Sequence, residues 1–140
     1  MGTTKVRDAM TPNPIEVPKT ATLHEVARQM KSANVGAILV RDNGSVCGIV
    51  TDRDITVRGI AEGMDPTTTT VIEVCSGDLT TLTPDDPLDK AVKFAREKAL
   101  RRFPVLEGGK PVGIVSLGDL AMEKDPDSAL AAISEAPPNN

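Results

Sequence analysis

Two stretches of the chain, GIVTDRDI at residues 48–55 and GIVSLGDL at residues 113–120, carry one pattern and lie 65 residues apart. In each, a glycine and two branched apolar residues precede a hydroxyl residue, and an aspartate follows three positions later. The match extends upstream without insertion or deletion, because Val40 aligns with Val105 and Gly44 with Gly109. Self-similarity at a fixed offset indicates two copies of one structural unit.

Each copy opens with an amphipathic helix. Apolar residues recur at i, i+3, i+4 and i+7 in both halves, which predicts one buried helical face; they are Leu23, Val26, Ala27 and Met30, then Leu88, Ala91, Val92 and Ala95. Asp86 before Pro87 is typical of an N-cap followed by proline at the first helical position, and Thr20 or Thr22 suits the first helix.

Short β-rich segments and glycine turns complete each copy. Strands are predicted at 15–17, 36–40 and 46–51 and again at 79–83, 102–106 and 112–116, with helices starting near Asp52 and Leu117. Each half therefore reads β-α-β-β-α. The domain organisation predicted from this is a first repeat at 1–60, a linker at 61–70, a second repeat at 71–125 and a tail at 126–140.

A half of about 60 residues buries too little surface to be more than marginally stable alone. We therefore expect an α/β (α+β) fold in which two β-α-β-β-α repeats pack face to face with pseudo-twofold symmetry. The clefts of such a pair would collect strand ends and helix N-termini, where backbone N–H groups and the helix dipole favour an anionic group.

Composition excludes several function classes. The 140 residues carry a formal net charge of −4 and no basic block, which argues against nucleic-acid binding. No apolar run is long enough to span a membrane, and the N-terminus lacks a secretory signal, so a cytoplasmic location is expected. Cys47 and Cys75 are then expected to be free thiols. His24 is the only histidine, and no nucleophile, metal cluster or glycine-rich phosphate loop points to an enzyme.

The repeated signature, the β-α-β-β-α order and the Arg102-Phe103-Pro104-Val105 stretch together resemble the tandem CBS domains named after cystathionine β-synthase. The resemblance covers about residues 6–121. It implies a non-catalytic regulatory module that needs no cofactor and binds an adenine nucleotide, namely AMP, ADP or ATP, or S-adenosylmethionine. It also implies dimerisation through the helices, with apolar residues near Ile60, Ala61, Met64, Leu120 and Met122 as the surface.

The resemblance implies which residues bind the ligand. The hydroxyl residue of each signature would contact the ribose-phosphate, and the aspartate would accept from the ribose hydroxyls; these are Thr51 and Asp54 in one cleft and Ser116 and Asp119 in the other. The adenine would lie against residues 11–15, including Thr11 and Ile15, for the Ser116 site. For the Thr51 site it would lie against residues 76–79, including Leu79.

The two clefts are not expected to be equal. The position before the second strand is Arg102, with Arg101 beside it, in the second half but Ala37 in the first. Phosphate is therefore expected at the Ser116 site, with Arg102 and Arg101 as its cations. Arg53 could partly compensate in the first half, although a residue at that helical position more often points to solvent.

Other interpretations stay open. Thr51 with Asp54, and Ser116 with Asp119, also match a helix capping box, in which the hydroxyl accepts an N–H and the acid reaches back. Arg101 and Arg102 could form a solvated strand end. The alternative function is a ligand-free interaction module, in which the repeat pair dimerises or binds a separate partner protein. The sequence predicts a homodimer, and no nucleic-acid or membrane partner.

Overall fold

The computed structural model describes residues 4–77 and 79–124. It contains five α-helices and six strands within these residues, together with a π-helix at Ile55–Ile60 and a 3₁₀ turn at Val71–Glu73. In chain order the regular elements are α1 (Val6–Ala9), β1 (Thr11–Pro12), β2 (Glu16–Pro18), α2 (Leu23–Ala33), β3 (Ala37–Asp42), β4 (Ser45–Thr51), α3 (Asp52–Asp54), α4 (Leu88–Lys98), β5 (Arg102–Glu107), β6 (Lys110–Ser116) and α5 (Leu117–Lys124).

The chain forms two compact units. The first unit spans residues 15–79 and holds the first signature. The second unit combines the N-terminal residues up to 14 with residues from 80 onward, and holds the second signature. The mixed α/β fold with two repeats, predicted from the sequence, is confirmed.

The first unit is a three-stranded sheet in the order β2-β3-β4. β2 runs parallel to β3, and β3 pairs with β4 in an antiparallel hairpin. The apolar face of α2 covers this sheet, since Leu23, Val26 and Met30 are all buried in its core. The β-α-β-β-α order predicted from periodicity is therefore present in this unit.

The second unit repeats the hairpin but differs at its edge. β5 and β6 pair as β3 and β4 do, and β1 adds to β6 in antiparallel register. The strand predicted at 79–83 is wrong in extent, because only Leu82 forms a parallel bridge, to Val105. The Leu82 N–H donates to Pro104 and its carbonyl accepts from Leu106. Phe103 and Leu120 fill the core of this unit.

The first segment of each sequence repeat packs in the compact unit that is formed mainly by the other repeat. The Val6 N–H donates to the Asp86 carbonyl at 2.9 Å, and the Leu88 N–H donates to the Thr4 carbonyl at 2.8 Å. The matching bonds 65 residues away, from Val71 to Ala21 and from Leu23 to Thr69, measure 2.7 and 3.0 Å. The compact units consequently do not coincide with the two halves of the sequence.

The two long helices begin with different caps. Thr22 is the N-cap of α2, as one of the two predicted options, and its hydroxyl accepts from the Glu25 N–H at 3.2 Å. The predicted cap Asp86 is wrong, because Pro87 occupies the N-cap of α4. Asp86 instead accepts from the Thr83 N–H at 2.8 Å and so closes the turn before the helix.

The predicted linker at 61–70 is anchored to the first unit by hydrogen bonds. The Pro66 and Thr69 carbonyls accept from the first N–H groups of α2, those of His24 and Leu23. Gly59 of the π-helix lies against the same turn, where an added methyl carbon would stand 2.8 Å from the Leu23 Cδ1. Among the helices of residues 4–77 and 79–124, none is long and apolar enough to cross a bilayer.

Candidate ligand site

The first signature turns from strand to helix through a capping box. β4 ends at Thr51 in extended conformation, and its hydroxyl accepts from the Asp54 N–H at 3.1 Å. Asp54 returns the bond, because its Oδ2 accepts from the Thr51 N–H at 2.9 Å. The pair therefore satisfies two backbone donors that the start of a helix leaves open.

The second signature has the same geometry. The Ser116 hydroxyl accepts from the Asp119 N–H at 3.2 Å, and the Asp119 Oδ2 accepts from the Ser116 N–H at 2.8 Å. The capping interpretation is thus confirmed for both signatures. The capping box leaves acceptor positions of each carboxylate open. An ionised aspartate has about four acceptor positions on its two oxygens, and the box uses only Oδ2.

The strand register places the predicted cation beside the second signature. Arg102 on β5 is the direct cross-strand partner of Ser116, whereas Ala37 on β3 is the partner of Thr51. Directly opposed residues of an antiparallel pair project from the same face of the sheet. Arg102 is half-buried and Arg101 is exposed, and neither makes an ion pair with a described side chain. The predicted inequality of the two sites therefore has a geometric basis.

The predicted adenine-side residues divide between the units. Thr11 lies in the second unit with Ser116, because β1 pairs Thr11 with Ile114 on the strand that carries Ser116. Ile15 belongs to the first unit, where its carbonyl accepts from the Leu39 N–H at 2.9 Å. The structure therefore does not place Thr11 and Ile15 in one compact unit.

Leu79 lies in the first unit with Thr51. The segment that leads to it pairs with β4, because Ile49 and Ser76 exchange two backbone hydrogen bonds of 3.0 Å. The half-buried Leu79 donates its N–H to the Gly77 carbonyl at 3.1 Å. Ser76, at the start of the predicted segment 76–79, is thus held beside the strand that ends at Thr51.

Sequence reasoning missed Arg58. Its Nε lies 3.9 Å from the Asp54 Oδ1, the oxygen that the capping box leaves open. Its Nη1 donates to the Val74 carbonyl at 3.5 Å, just before the segment 76–79. The signal available in the sequence was the i, i+4 spacing from Asp54 along a helix. Arg53, the alternative considered, is exposed, as expected for its position.

The two cysteines are free thiols, as predicted, and both belong to the first unit. Burial raises the pKa of the Cys75 thiol, and the neighbouring charges of Cys47 and Asp54 raise that pKa further. A thiol with a raised pKa stays protonated at neutral pH, and the thiolate is the reactive species. Cys75 therefore acts as a packing residue beside Gly48.

His24 is exposed in the first turn of α2. Within the part of the chain that the structure describes, no three His, Cys, Asp or Glu side chains gather where they could hold a metal ion. The site chemistry of the described residues is that of two hydroxyl–carboxylate caps, each with one arginine nearby.

A repeated β-α-β-β-α unit with a hydroxyl–aspartate cap after its last strand defines a class of tandem regulatory modules. The family model of the CBS domain matches residues 6–58 and again residues 71–124. The chain therefore belongs to the CBS-domain family, as a tandem pair. Such pairs are regulatory modules and not catalysts, and the chain is one of them.

Comparison with individual proteins supports the assignment to the CBS-domain family. The chain is 40% identical to the CBS domain-containing protein YhcV of Bacillus subtilis over 119 residues, which cover 85% of this chain and 84% of YhcV. A crystal structure of Hypoxic Response Protein I, with two coordinated zinc ions, is 30% identical and has a TM-score of 0.72, over 86% of this chain and 98% of that one.

A third similar protein has a bound ligand. The CBS domain pair of protein MJ0100, crystallised with 5'-methylthioadenosine and S-adenosyl-L-methionine, has a TM-score of 0.79 at 22% identity. The match covers 91% of this chain and all of that one, 100%. At this identity the likeness establishes the shared fold.

Proposed function

We propose that the chain is a non-catalytic sensor that binds an adenosine-containing ligand at its signatures and regulates a partner protein in the cytoplasm. The candidate ligands are AMP, ADP, ATP and S-adenosylmethionine. The observation that carries the proposal is the register that sets Arg102 opposite Ser116, next to an Asp119 carboxylate with one oxygen outside its cap. These are the groups that a phosphorylated ribose requires.

The chemistry of each group supports its role. A carboxylate accepts hydrogen bonds from two vicinal hydroxyls, so Asp119 suits the ribose. A guanidinium binds phosphate oxygens through paired N–H donors, so Arg102 suits the phosphate, with Arg101 as a second cation. The adenosyl ligands of protein MJ0100, which shares the fold, support the choice of ligand class.

In the second unit we assign Thr11 to the adenine side of the Ser116 site; Ile15, which the family resemblance also implies, belongs to the first unit. In the first unit we assign Thr51 and Asp54 to the ribose and the segment at Leu79 to the adenine. A ligand acts as a signal only if it binds two conformations with different affinity. The proposed sensor therefore needs a ligand-dependent change in the contacts of the chain.

Asp119→Asn is expected to weaken ligand binding without losing the cap. The amide oxygen still accepts from the Ser116 N–H, whereas the charged acceptor for the ribose is lost, which costs about 1.5–3 kcal/mol of binding. Thermal unfolding with each candidate ligand at millimolar concentration measures this. Ligand at about 100 times its dissociation constant adds roughly 2.7 kcal/mol to stability.

Asp8→Asn is the matched control, because Asp8 accepts from the Lys5 N–H at 3.0 Å in a similar cap outside the signature. It should retain the full ligand-induced shift. If no ligand raises the unfolding temperature of the wild-type protein, the sensor proposal is wrong. If Asp8→Asn and Asp119→Asn lose the shift equally, the ligand does not bind at Ser116.

A second candidate function is an interaction module that works as a homodimer. Large apolar side chains exposed in the described residues are Val57 at 44%, Ile60 at 52% and Ile72 at 43%, all in the first unit. Ile60 and Ala61 are exposed, as predicted for a dimer surface, whereas Met64 is half-buried and packs against the first core. Leu120, predicted for the same surface, is 4% exposed and packs in the second core, so that assignment is wrong. The side chain of Met122 lies outside the described set.

The wild-type protein is expected to sediment as a dimer at micromolar concentration, and Ile60→Glu as a monomer of 14.8 kDa. A charge at this exposed apolar position would be buried without a partner in the interface. Lys31→Glu, at an exposed position of α2, is the control and should stay dimeric. A monomeric wild-type protein, or a dimeric Ile60→Glu variant, would contradict this surface.

A further inference from the structure

Arg58 spans the two parts of the proposed first-unit site. Through Nε it approaches the Asp54 Oδ1 at 3.9 Å, and through Nη1 it reaches the Val74 carbonyl at 3.5 Å. Asp54 is the proposed ribose acceptor, and Val74 precedes the segment proposed for the adenine. The guanidinium therefore contacts both the proposed ribose acceptor and the residue just before the proposed adenine segment.

Both contacts of Arg58 are weak enough to exchange. The side chain of Arg58 is 57% exposed while that of Asp54 is 18% exposed, and an exposed ion pair at this separation contributes little to stability. The bond to the Val74 carbonyl is at the long limit for a hydrogen bond. A phosphate group would offer the same guanidinium two short, charge-assisted bonds.

The two repeats carry their arginine at different positions. In the second repeat the strand position opposite the hydroxyl residue is Arg102, and the helix position equivalent to Arg58 is Glu123. In the first repeat the strand position is Ala37, and the helix position is Arg58. Each signature is thus accompanied by one arginine on a different element, so the first unit does not lack a positive group.

We propose that Arg58 makes the affinity of the first unit for its ligand depend on the charge of that ligand. It leaves Asp54 and binds the anionic group of a phosphorylated adenosine ligand, which frees the Asp54 carboxylate for the ribose hydroxyls. An uncharged nucleoside offers nothing to replace the Asp54 contact, and S-adenosylmethionine places a cationic sulfonium, not an anionic group, next to the ribose. The first unit consequently prefers adenosine phosphates, and this inference rests on the proposed ligand-binding function.

Isothermal titration with AMP and with adenosine tests the inference in an Asp119→Asn background, which leaves the first-unit site as the measured one. Arg58→Gln is expected to lower AMP affinity about tenfold or more, since a charge-assisted contact is lost. Adenosine affinity should stay the same or rise, because Asp54 no longer pairs with Arg58. Arg58→Lys keeps the charge and should retain part of the preference for AMP.

Arg53→Gln is the matched control, because it removes the same charge from an exposed position five residues earlier in the same helical segment. It should change neither affinity by more than about twofold, as exposed charges act weakly at a distance in salt. Equal AMP affinities in Arg58→Gln and Arg53→Gln would overturn the inference and leave the proposed function standing. AMP binding to the wild type that disappears entirely in the Asp119→Asn background would overturn it too. A wild-type protein that binds neither AMP nor adenosine would instead refute the proposed function.

Discussion

Phe103→Ala is expected to lower the free energy of unfolding by about 3–5 kcal/mol, the range for truncating a buried phenylalanine. Phe103 has no exposed surface and belongs to the second core together with Leu82 and Leu88. Its removal leaves a cavity that the paired strands β5 and β6 hold open. Urea denaturation followed by circular dichroism measures the change as a shift of the unfolding midpoint.

The chain supplies a matched control in its other phenylalanine. Phe94 on α4 packs against the same core but is only half-buried, with its ring centroid 6.5 Å from that of Phe103. Phe94→Ala should cost roughly half as much or less, since part of its ring surface is already in water. A loss for Phe103→Ala no larger than that for Phe94→Ala would show that the second core does not carry the stability assigned to it.

Gly113→Ala is expected to destabilise the protein by about 1–3 kcal/mol through overpacking. A methyl carbon at Gly113 would stand 2.6 Å from the Met10 sulfur and 2.9 Å from the Thr11 carbonyl oxygen. The methionine can change rotamer, but the carbonyl belongs to β1, which pairs with β6 at this point. Relief therefore requires the N-terminal strand to move away. Thermal unfolding measures the destabilisation, and hydrogen exchange of the Asn13 N–H, which donates to the Val112 carbonyl at 3.3 Å, measures the displacement of this segment.

The first signature offers the same test. At Gly48 the added carbon would lie 2.8 Å from the Cys75 sulfur and 2.9 Å from the Ser76 carbonyl oxygen, so Gly48→Ala should be comparably destabilising. At Gly77 the nearest atom, the Cys47 carbonyl oxygen, is 3.7 Å away. Gly77→Ala is therefore the control and should be close to neutral. Similar stabilities for Gly113→Ala and Gly77→Ala would mean that the first segments of the repeats are not tightly held.

Local patterns predicted most of the regular structure. The period of the apolar residues predicted both long helices, and α2 and α4 occupy equivalent ranges 65 residues apart. Turn glycines and β-branched runs predicted the two hairpins. The hydroxyl–aspartate spacing predicted the capping boxes, because a cap depends on residues only three positions apart. Each of these features is decided within one turn or one hairpin.

Most of the errors and omissions involve contacts between residues distant in the chain. Asp86 is not the cap of α4, because its carboxylate accepts from the Thr83 N–H, while the distant Thr4 carbonyl accepts from the first N–H of the helix. Leu120 was assigned to the surface because periodicity over one short helix does not say which face meets the core. Arg58 was overlooked because its second contact, the Val74 carbonyl, lies 16 residues further along the chain.

By itself, then, the sequence determined the repeat, its β-α-β-β-α order, the family and the residue types of the candidate site, because these depend on spacing within each copy. Only the tertiary structure decided that residues 4–14 build the second unit and residues 71–79 the first. It also decided that Arg58 accompanies the first signature. The physical reason is that Gly48 and Gly113 have no side chain, so the backbone of the other repeat's first segment packs closely against each of them. No local propensity encodes which segment packs there.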